Sequence, residues 1–220
     1  MLENPVWAAL SGPQACFAEA SGDAARYQPE FSPFAALSDP DDPAAWRDLA
    51  TLTDRALLTG PSITPLEGWE TVGGTTGAQM AGHGMTGVPD EEAVVLTETD
   101  VPEILDLIER AQPGPFGKRT VELGRYLGIR HEGRLIAMAG ERFQLPGWTE
   151  VSAVCTDPDF RGRGLGARLT MAVAAAILER GDLPFLHVSA ENLGAIRLYE
   201  RLGFQVDHEV VFAAVRRSLA

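Results

Sequence analysis

Six consecutive residues, Arg161-Gly-Arg-Gly-Leu-Gly166, carry the most specific chemistry in the chain. Gly162, Gly164 and Gly166 put no Cβ between the backbone and a ligand, so several N–H groups can converge on one anion. A helical pattern begins at Gly164, and the positive end of its dipole, with Arg161 and Arg163, makes a diphosphate the natural guest. Three glycines can also simply make a tight turn, and alone the loop supports no more than a bound anion. A Walker loop needs Gly-Lys-Ser/Thr; the single lysine, Lys118, is followed by Arg119, so that reading fails. The dinucleotide fingerprint is a closer rival, because Gly162-x-Gly164-x-x-Ala167 meets its loose form and Glu191 ends the next strand. Against it, residues 156–160 separate the strand from the first glycine, and antiparallel strands precede the unit. Cys155 lies mid-strand among apolar neighbours with no evident partner, the usual setting of an inert thiol. His83, His131 and His208 are scattered without ligand spacing, so no metal is expected.

The elements that must position this loop can be read from periodicity. Residues 94–97 form a short strand, and Asp100-Val-Pro-Glu103 has capping-box spacing before a helix with Ile104, Leu107 and Ile108 on one face. Residues 125–131 and 134–143 read as a hairpin turning at Glu132-Gly133, and 150–156 as a third strand after Pro146-Gly147. Apolar residues at 165, 169, 173, 176 and 177 give a helix over 164–180, stopped by Gly181. A strand over 183–189 follows, then a helix over 193–202 capped by Asn192 and ended by Gly203, then a strand over 209–215. One helix separates strands 150–156 and 183–189, so a right-handed crossover should set them parallel and side by side. The expected fold is α/β (α+β), a mixed, mostly antiparallel sheet flanked by helices.

Composition sets the outer limits. The chain has 220 residues, 45% hydrophobic, and no apolar run near the roughly 20 residues of a membrane span. Its start lacks the basic and apolar stretches of a signal peptide, so a cytoplasmic location is expected, with no membrane partner. Cys16 and Cys155 make no disulfide framework. The net charge of −13 is uneven: residues 1–90 hold 12 acidic and 3 basic side chains, residues 91–220 hold 19 and 15. Nucleic acid is therefore not an expected partner, whereas a cationic amine would be tolerated. Residues 1–90 are rich in Pro, Gly, Ala and Asp and show little periodicity. A helix over 43–52, capped by Asp41 or Asp42, is the clearest element; 73–87 reads as turns and short strands and 81–90 as a linker. Trp7, Trp46 and Trp69 read as packing residues.

The segment Val154-Cys-Thr-Asp-Pro-Asp-Phe-Arg-Gly-Arg-Gly-Leu-Gly166, with its Arg-x-x-Gly-x-Gly spacing, resembles the coenzyme A loop of the GNAT superfamily of N-acetyltransferases. A second block, Leu186-His-Val-Ser-Ala-Glu-Asn192 followed by Ala195-Ile-Arg-Leu-Tyr-Glu-Arg-Leu-Gly-Phe204, also resembles that family and stands in the right order. The resemblance extends over residues 92–217, read as the catalytic domain. Residues 1–88 are then an accessory region, either a diverged copy of the same fold or a cap on the acceptor site.

The resemblance implies an acetyl-CoA-dependent acyltransferase, transferring groups other than aminoacyl groups, with acetyl-CoA as donor substrate and no metal. It implies that strands four and five splay, that the pantetheine arm pairs with the backbone of Val154, Cys155 and Thr156, and that one N–H there polarises the thioester carbonyl. Arg161, Gly162, Arg163, Gly164, Leu165, Gly166 and Ala167 would hold the pyrophosphate, Asn192 the pantetheine. Tyr199 matches the tyrosine that protonates the departing thiolate; otherwise it is one more apolar-face residue beside Ile196 and Leu202. A charged amine must lose a proton, and two bases are candidates. His187 stands where some family members place a glutamate; Glu150 begins the fourth strand and should share a face with Ser152 and Val154. Their alternatives are a satisfied strand histidine and a solvated strand end.

Three functions remain open at this point: direct acetyl transfer to an amine of a small molecule or peptide, a regulatory module that binds acyl-CoA without turnover, and a dinucleotide-dependent oxidoreductase. The acceptor, set by residues 1–90 and the loop near 113–118, is not legible, nor is the choice between monomer and homodimer.

Overall fold

A computed structural model describes residues 2–218. The chain begins with helix α1 (Pro5–Leu10) and a small antiparallel sheet of strands β1 (Ala18–Ser21), β2 (Ala24–Tyr27) and β3 (Ala35–Leu37). Helix α2 (Pro43–Leu52) follows; the Asp42 carboxylate caps it by accepting from the Ala44 N–H, and Pro43 stands where no N–H is needed. Then come strands β4 (Arg55–Gly60), β5 (Trp69–Ala81) and β6 (Val94–Leu96), helix α3 (Val101–Ala111), and strands β7 (Tyr126–His131), β8 (Arg134–Leu145) and β9 (Trp148–Thr156). Helix α4 (Leu165–Glu179), strand β10 (Leu183–Ser189), helix α5 (Leu193–Arg201) and strand β11 (Gln205–Arg217) complete it.

Eight strands form one sheet in the order β4-β11-β5-β10-β9-β8-β7-β6. Every pairing is antiparallel except β9 with β10. The architecture is thus the mixed, mostly antiparallel sheet flanked by helices that the periodicity predicts. The β7–β8 hairpin turns at Glu132-Gly133, both at positive φ (49° and 81°), the primed geometry that matches strand twist. Alternate residues divide the two faces. On β7, Leu127 and Ile129 join the core under α4, while Tyr126 joins the core under α3. On β10, Leu186 and Val188 face α4, and Phe185 faces α1 and the small sheet.

The expected boundary near residues 88–92 does not divide the sheet. Strand β5 lies between β10 and β11, and β4 closes the edge beyond β11, so the first ninety residues supply two strands of the eight. Where turns and short strands are expected over 73–87, residues 73–81 instead belong to one 13-residue strand and only 82–87 are irregular, because β11 and β10 offer this glycine-rich stretch two ladders and pairing overrides weak propensity. The expected linker is packed: Val88 donates its N–H to the Met171 carbonyl on α4, and Asp90 pairs with Arg168 at 2.6 Å. The capping box also sits three residues earlier than its spacing suggested. Thr97 and Asp100 cap each other's backbone ahead of α3, and Glu103 instead pairs with Arg130. Trp46 and Trp69 are core residues, their rings 5.7 Å apart.

Candidate active site

The site is built on the single parallel pairing. Strands β9 and β10 ladder only through Leu183↔Trp148, Pro184↔Thr149 and Phe185↔Glu150. Both continue, β9 to Thr156 and β10 to Ser189, each still paired on its outer edge, to β8 and β5. Beyond Glu150 and Phe185 the inner edges part into a fork, where the backbone of residues 151–156 faces that of 186–189 with no strand between. A bulge in β9 accompanies the parting. Gly140 pairs with Ser152 and Met138 with Cys155, so Ala139 opposes both Ala153 and Val154. Ala153 takes φ +53°, a conformation costing a side-chain-bearing residue about 1–3 kcal/mol, and bulges bend and twist a strand. The expected alternation of Glu150, Ser152 and Val154 is therefore broken: past the bulge Val154 packs toward α4, in the core opposite to the Glu150 side.

The glycine loop lies at the open end of this fork. Gly162 and Gly164 both have φ near +77° (78° and 76°), and a Cβ on either would meet no atom within 4 Å. Gly164 is the N-cap of α4 and offers no capping side chain, so the first-turn N–H groups of a 15-residue helix are left for another acceptor. Gly166 sets the helix against β9; a Cβ there would lie 3.6 Å from Val154 and 3.8 Å from Thr156. Residues 161–164 are exposed, Leu165 is anchored in the core, and Ala167 is half-buried. The Arg163 guanidinium stacks over Phe160 at 4.7 Å, and Arg161 approaches the Thr156 carbonyl at 3.5 Å.

One residue that sequence reasoning missed fixes this loop. Asp157 is buried, accepts from the Asp159 N–H at 3.1 Å, and pairs with Arg110 of α3 at 2.8 Å and with Arg134 of β8. Burial pushes its carboxyl up, but the Asp159 N–H and the two guanidinium groups outweigh this and hold it below the usual range. Its only signal was a place in Thr156-Asp-Pro-Asp, an Asx-turn pattern that names no distant partner.

On the other arm, Asn192 caps α5 by accepting from the Ala195 N–H at 3.1 Å, which leaves its amide N–H groups as donors. Tyr199 is buried against Phe204, with centroids 6.0 Å apart, and no protein atom hydrogen-bonds its hydroxyl among the described residues. Burial, then the neighbouring Cys155 thiol, pushes its phenol up to about 12, so it is a proton donor at neutral pH. Burial likewise pushes the Cys155 thiol up to about 12, which keeps the thiolate scarce.

The two candidate bases touch. Glu150 is buried, not a solvated strand end; it holds Arg142 through two bonds of 2.7 Å and meets His187 Nδ1 at 2.6 Å. Burial pushes its carboxyl up, but the Arg142 charge and then the His187 bond pull it down to about 2. A carboxylate so held is a poor proton acceptor. The rings of Phe212, Phe185 and Phe143 stand around His187 at 5.5, 5.7 and 6.5 Å, and its Nε2 is buried without a partner. Among the described residues no group of three or more His, Cys, Asp or Glu is placed to hold a metal ion, and no helix is long and apolar enough to cross a membrane.

A fork of parallel strands, a helix N-terminus bared by glycines at its mouth and a protonated phenol on its far arm make up a candidate site of the group-transfer class. Comparison with known proteins gives the class a family. The family model described as FR47-like protein matches residues 126–213. The [ribosomal protein bS18]-alanine N-acetyltransferase of Salmonella typhimurium is 34% identical over 116 residues, 50% of this chain and 78% of that one. Mycothiol acetyltransferase of Corynebacterium aurimucosum is 43% identical over 65 residues, 29% of this chain and only 21% of its own length. The crystal structure of a GNAT-family protein from Novosphingobium aromaticivorans superposes with a TM-score of 0.91 at 40% identity, covering 99% of both chains. The chain belongs to the GNAT family of acetyltransferases and is an acyltransferase.

Proposed function

We propose that this chain moves an acetyl group from acetyl-CoA to a primary amine by direct attack within a ternary complex. The fork carries the reading: the β9–β10 ladder stops at Phe185↔Glu150 while both strands run on, leaving a slot edged by peptide groups beside the exposed glycine loop. In this reading the backbone of Val154, Cys155 and Thr156 pairs with the pantetheine amides as a strand would, and an N–H of β9 stabilises the developing oxyanion. The N–H groups of residues 161–167, with Arg161 and Arg163, hold the diphosphate, and the Asn192 amide bonds the pantetheine.

The side chains account for the protons. His187 Nε2 takes one proton from the ammonium, and the neutral amine then attacks the thioester carbon. As the C–S bond breaks, Tyr199 gives its phenolic proton to the sulfur, and the second proton lost by the attacking nitrogen restores the phenol. The net products are an amide, a thiol and one proton, which leaves through His187 to solvent. Glu150 orients His187 and does not itself act as the base. The part of residues 1–88 that lies outside the main sheet, α1 and the small sheet, caps the acceptor end in this reading: Gln14 donates to the Arg142 carbonyl at 2.7 Å, and Phe34 lies under the Arg142 guanidinium at 4.8 Å. The enclosed Nε2 requires the ring wall of Phe143, Phe185 and Phe212 to part when the acceptor enters.

The test is thiol release from acetyl-CoA over a panel of amines, including a peptide that begins with alanine, the acceptor class in the name of the Salmonella relative. Amine-dependent release that falls in Tyr199→Phe is expected. Acetyl-CoA binding without release on a broad panel would overturn the proposal.

A further inference from the structure

A buried ionic cluster lies at the crotch of the fork, and it includes Arg142, a residue with no role so far. Arg142 of β8 and Glu150 of β9 are both buried and bonded side on, Nε to Oε2 and Nη2 to Oε1, at 2.7 Å each. The guanidinium lies over the rings of Phe143 at 4.4 Å and Phe34 at 4.8 Å, which meet each other edge to face. Glu150 is also the last residue of β9 to pair with β10, and its Oε1 reaches past that point to His187 Nδ1. The chain Arg142–Glu150–His187 thus crosses from β8 to β10 just where the backbone ladder gives out.

Two consequences follow. A buried carboxylate without a cation would neutralise itself by taking a proton; the two-point guanidinium contact keeps Glu150 ionised. An ionised carboxylate accepts only, so the neutral imidazole beside it must carry its proton on Nδ1, and the lone pair then resides on Nε2. That is the nitrogen found buried and unpartnered, with the side chain only 3% exposed. The other polar groups around the cluster do not compete for it. Tyr27 of β2 bonds Gln14, and Tyr126 of β7 is a neutral phenol. Glu141 of β8 pairs with Arg180, and Gln79 of β5, opposite His187, bonds Asp207 of β11, which also holds His208.

We propose that Arg142 is a positioning residue for acetyl transfer, acting through Glu150 to fix the tautomer and orientation of His187 so that Nε2 takes the acceptor's proton. The inference rests on the reading of His187 as the base. A cluster that only stapled the fork would act on donor binding; a cluster that tunes a base acts on the pH dependence of the acceptor reaction.

The experiment measures kcat/KM for the acceptor against pH, with acetyl-CoA affinity by calorimetric titration, in the wild type, His187→Gln, Glu150→Gln and Arg142→Lys. An adjacent anion favours the protonated ring, so Glu150→Gln should free the base at lower pH and move the acid limb of the profile in that direction. The plateau should fall roughly tenfold or more. Acetyl-CoA affinity should stay within about twofold. Arg142→Lys keeps a cation without the two-point contact and should shift the limb in the same direction by less; it carries the comparison if Glu150→Gln does not fold. A limb that disappears in His187→Gln but stays in place in both other variants overturns the role of Arg142 alone. A limb unchanged in His187→Gln overturns the base itself. Loss of acetyl-CoA affinity in proportion to the loss of rate makes the cluster a staple and also overturns the proposal.

Discussion

Replacing Gly164 by alanine separates the cost of backbone strain from the cost of filling a ligand site. Gly164 has φ +76°, and its added Cβ would meet no protein atom within 4 Å, so the folded chain loses only what a left-handed alanine costs. That is about 1–2 kcal/mol. For a domain of this size each kcal/mol lowers Tm by about 2–4 °C, which gives an expected fall of roughly 2–8 °C. Gly181 at the other end of α4 is the matched control: φ +88°, again nothing within 4 Å, and far from the fork along a 15-residue helix. Gly181→Ala should lower Tm by a similar amount. If the space before Gly164 belongs to a diphosphate, only Gly164→Ala also weakens acetyl-CoA, by about tenfold or more, equal to 1.4 kcal/mol. Thermal melts and calorimetric titration of both variants make the comparison. Equal acetyl-CoA affinity in the two, with equal losses of Tm, would refute the assignment of the loop.

Other consequences can be checked separately. Removing residues 1–88 takes away β4 and β5 and leaves β11 with no strand on either side, so the remainder should show neither cooperative melting nor protected amides in hydrogen exchange; a cooperative melt would contradict this. Tyr199→Phe deletes a hydroxyl without a protein hydrogen bond, so kcat should fall roughly a hundredfold, in the range of acid–base contributions, while Tm stays nearly unchanged; a large loss of Tm would make Tyr199 structural. Asp157 is held low in the fold, so its stabilisation is full above its unfolded value of about 3.9 and is lost as pH falls through the lower folded value. Melts from pH 7 to pH 2 should therefore show wild type and Asp157→Asn converging at the acid end, and a constant difference would contradict the pairing with Arg110 and Arg134. In native protein a thiol reagent should label exposed Cys16 and leave Cys155, buried with its thiol near 12, unmodified.

Much of residues 92–217 was legible because the signals there are local. Gly164, Gly181, Asn192 and Gly203 punctuate helices, Glu132-Gly133 marks a hairpin, and one intervening helix dictates a parallel pair. The first ninety residues were not legible for the opposite reason. Residues 69–81 contain glycines and threonines with no period of their own, and they become a central strand only because β10 and β11 present edges to them. The fork loop and Tyr199 were readable as motif residues, but Arg142 and Asp157 were not: their importance lies in pairs to Glu150, Arg110 and Arg134 that are set by sheet register. Glu150 shows the limit most clearly, since the same residue is a plausible free base in sequence and a locked, ionised partner in the fold.

In the proposed mechanism the fork and its loop hold acetyl-CoA as an additional strand. A crystal structure of the chain with acetyl-CoA tests it most directly. The expected result is pantetheine amides paired with the backbone of Val154–Thr156, the diphosphate on the N–H groups of residues 161–167, and the thioester sulfur within hydrogen-bond reach of the Tyr199 hydroxyl. A diphosphate seated elsewhere, with β9 and β10 unoccupied between their arms, would contradict it.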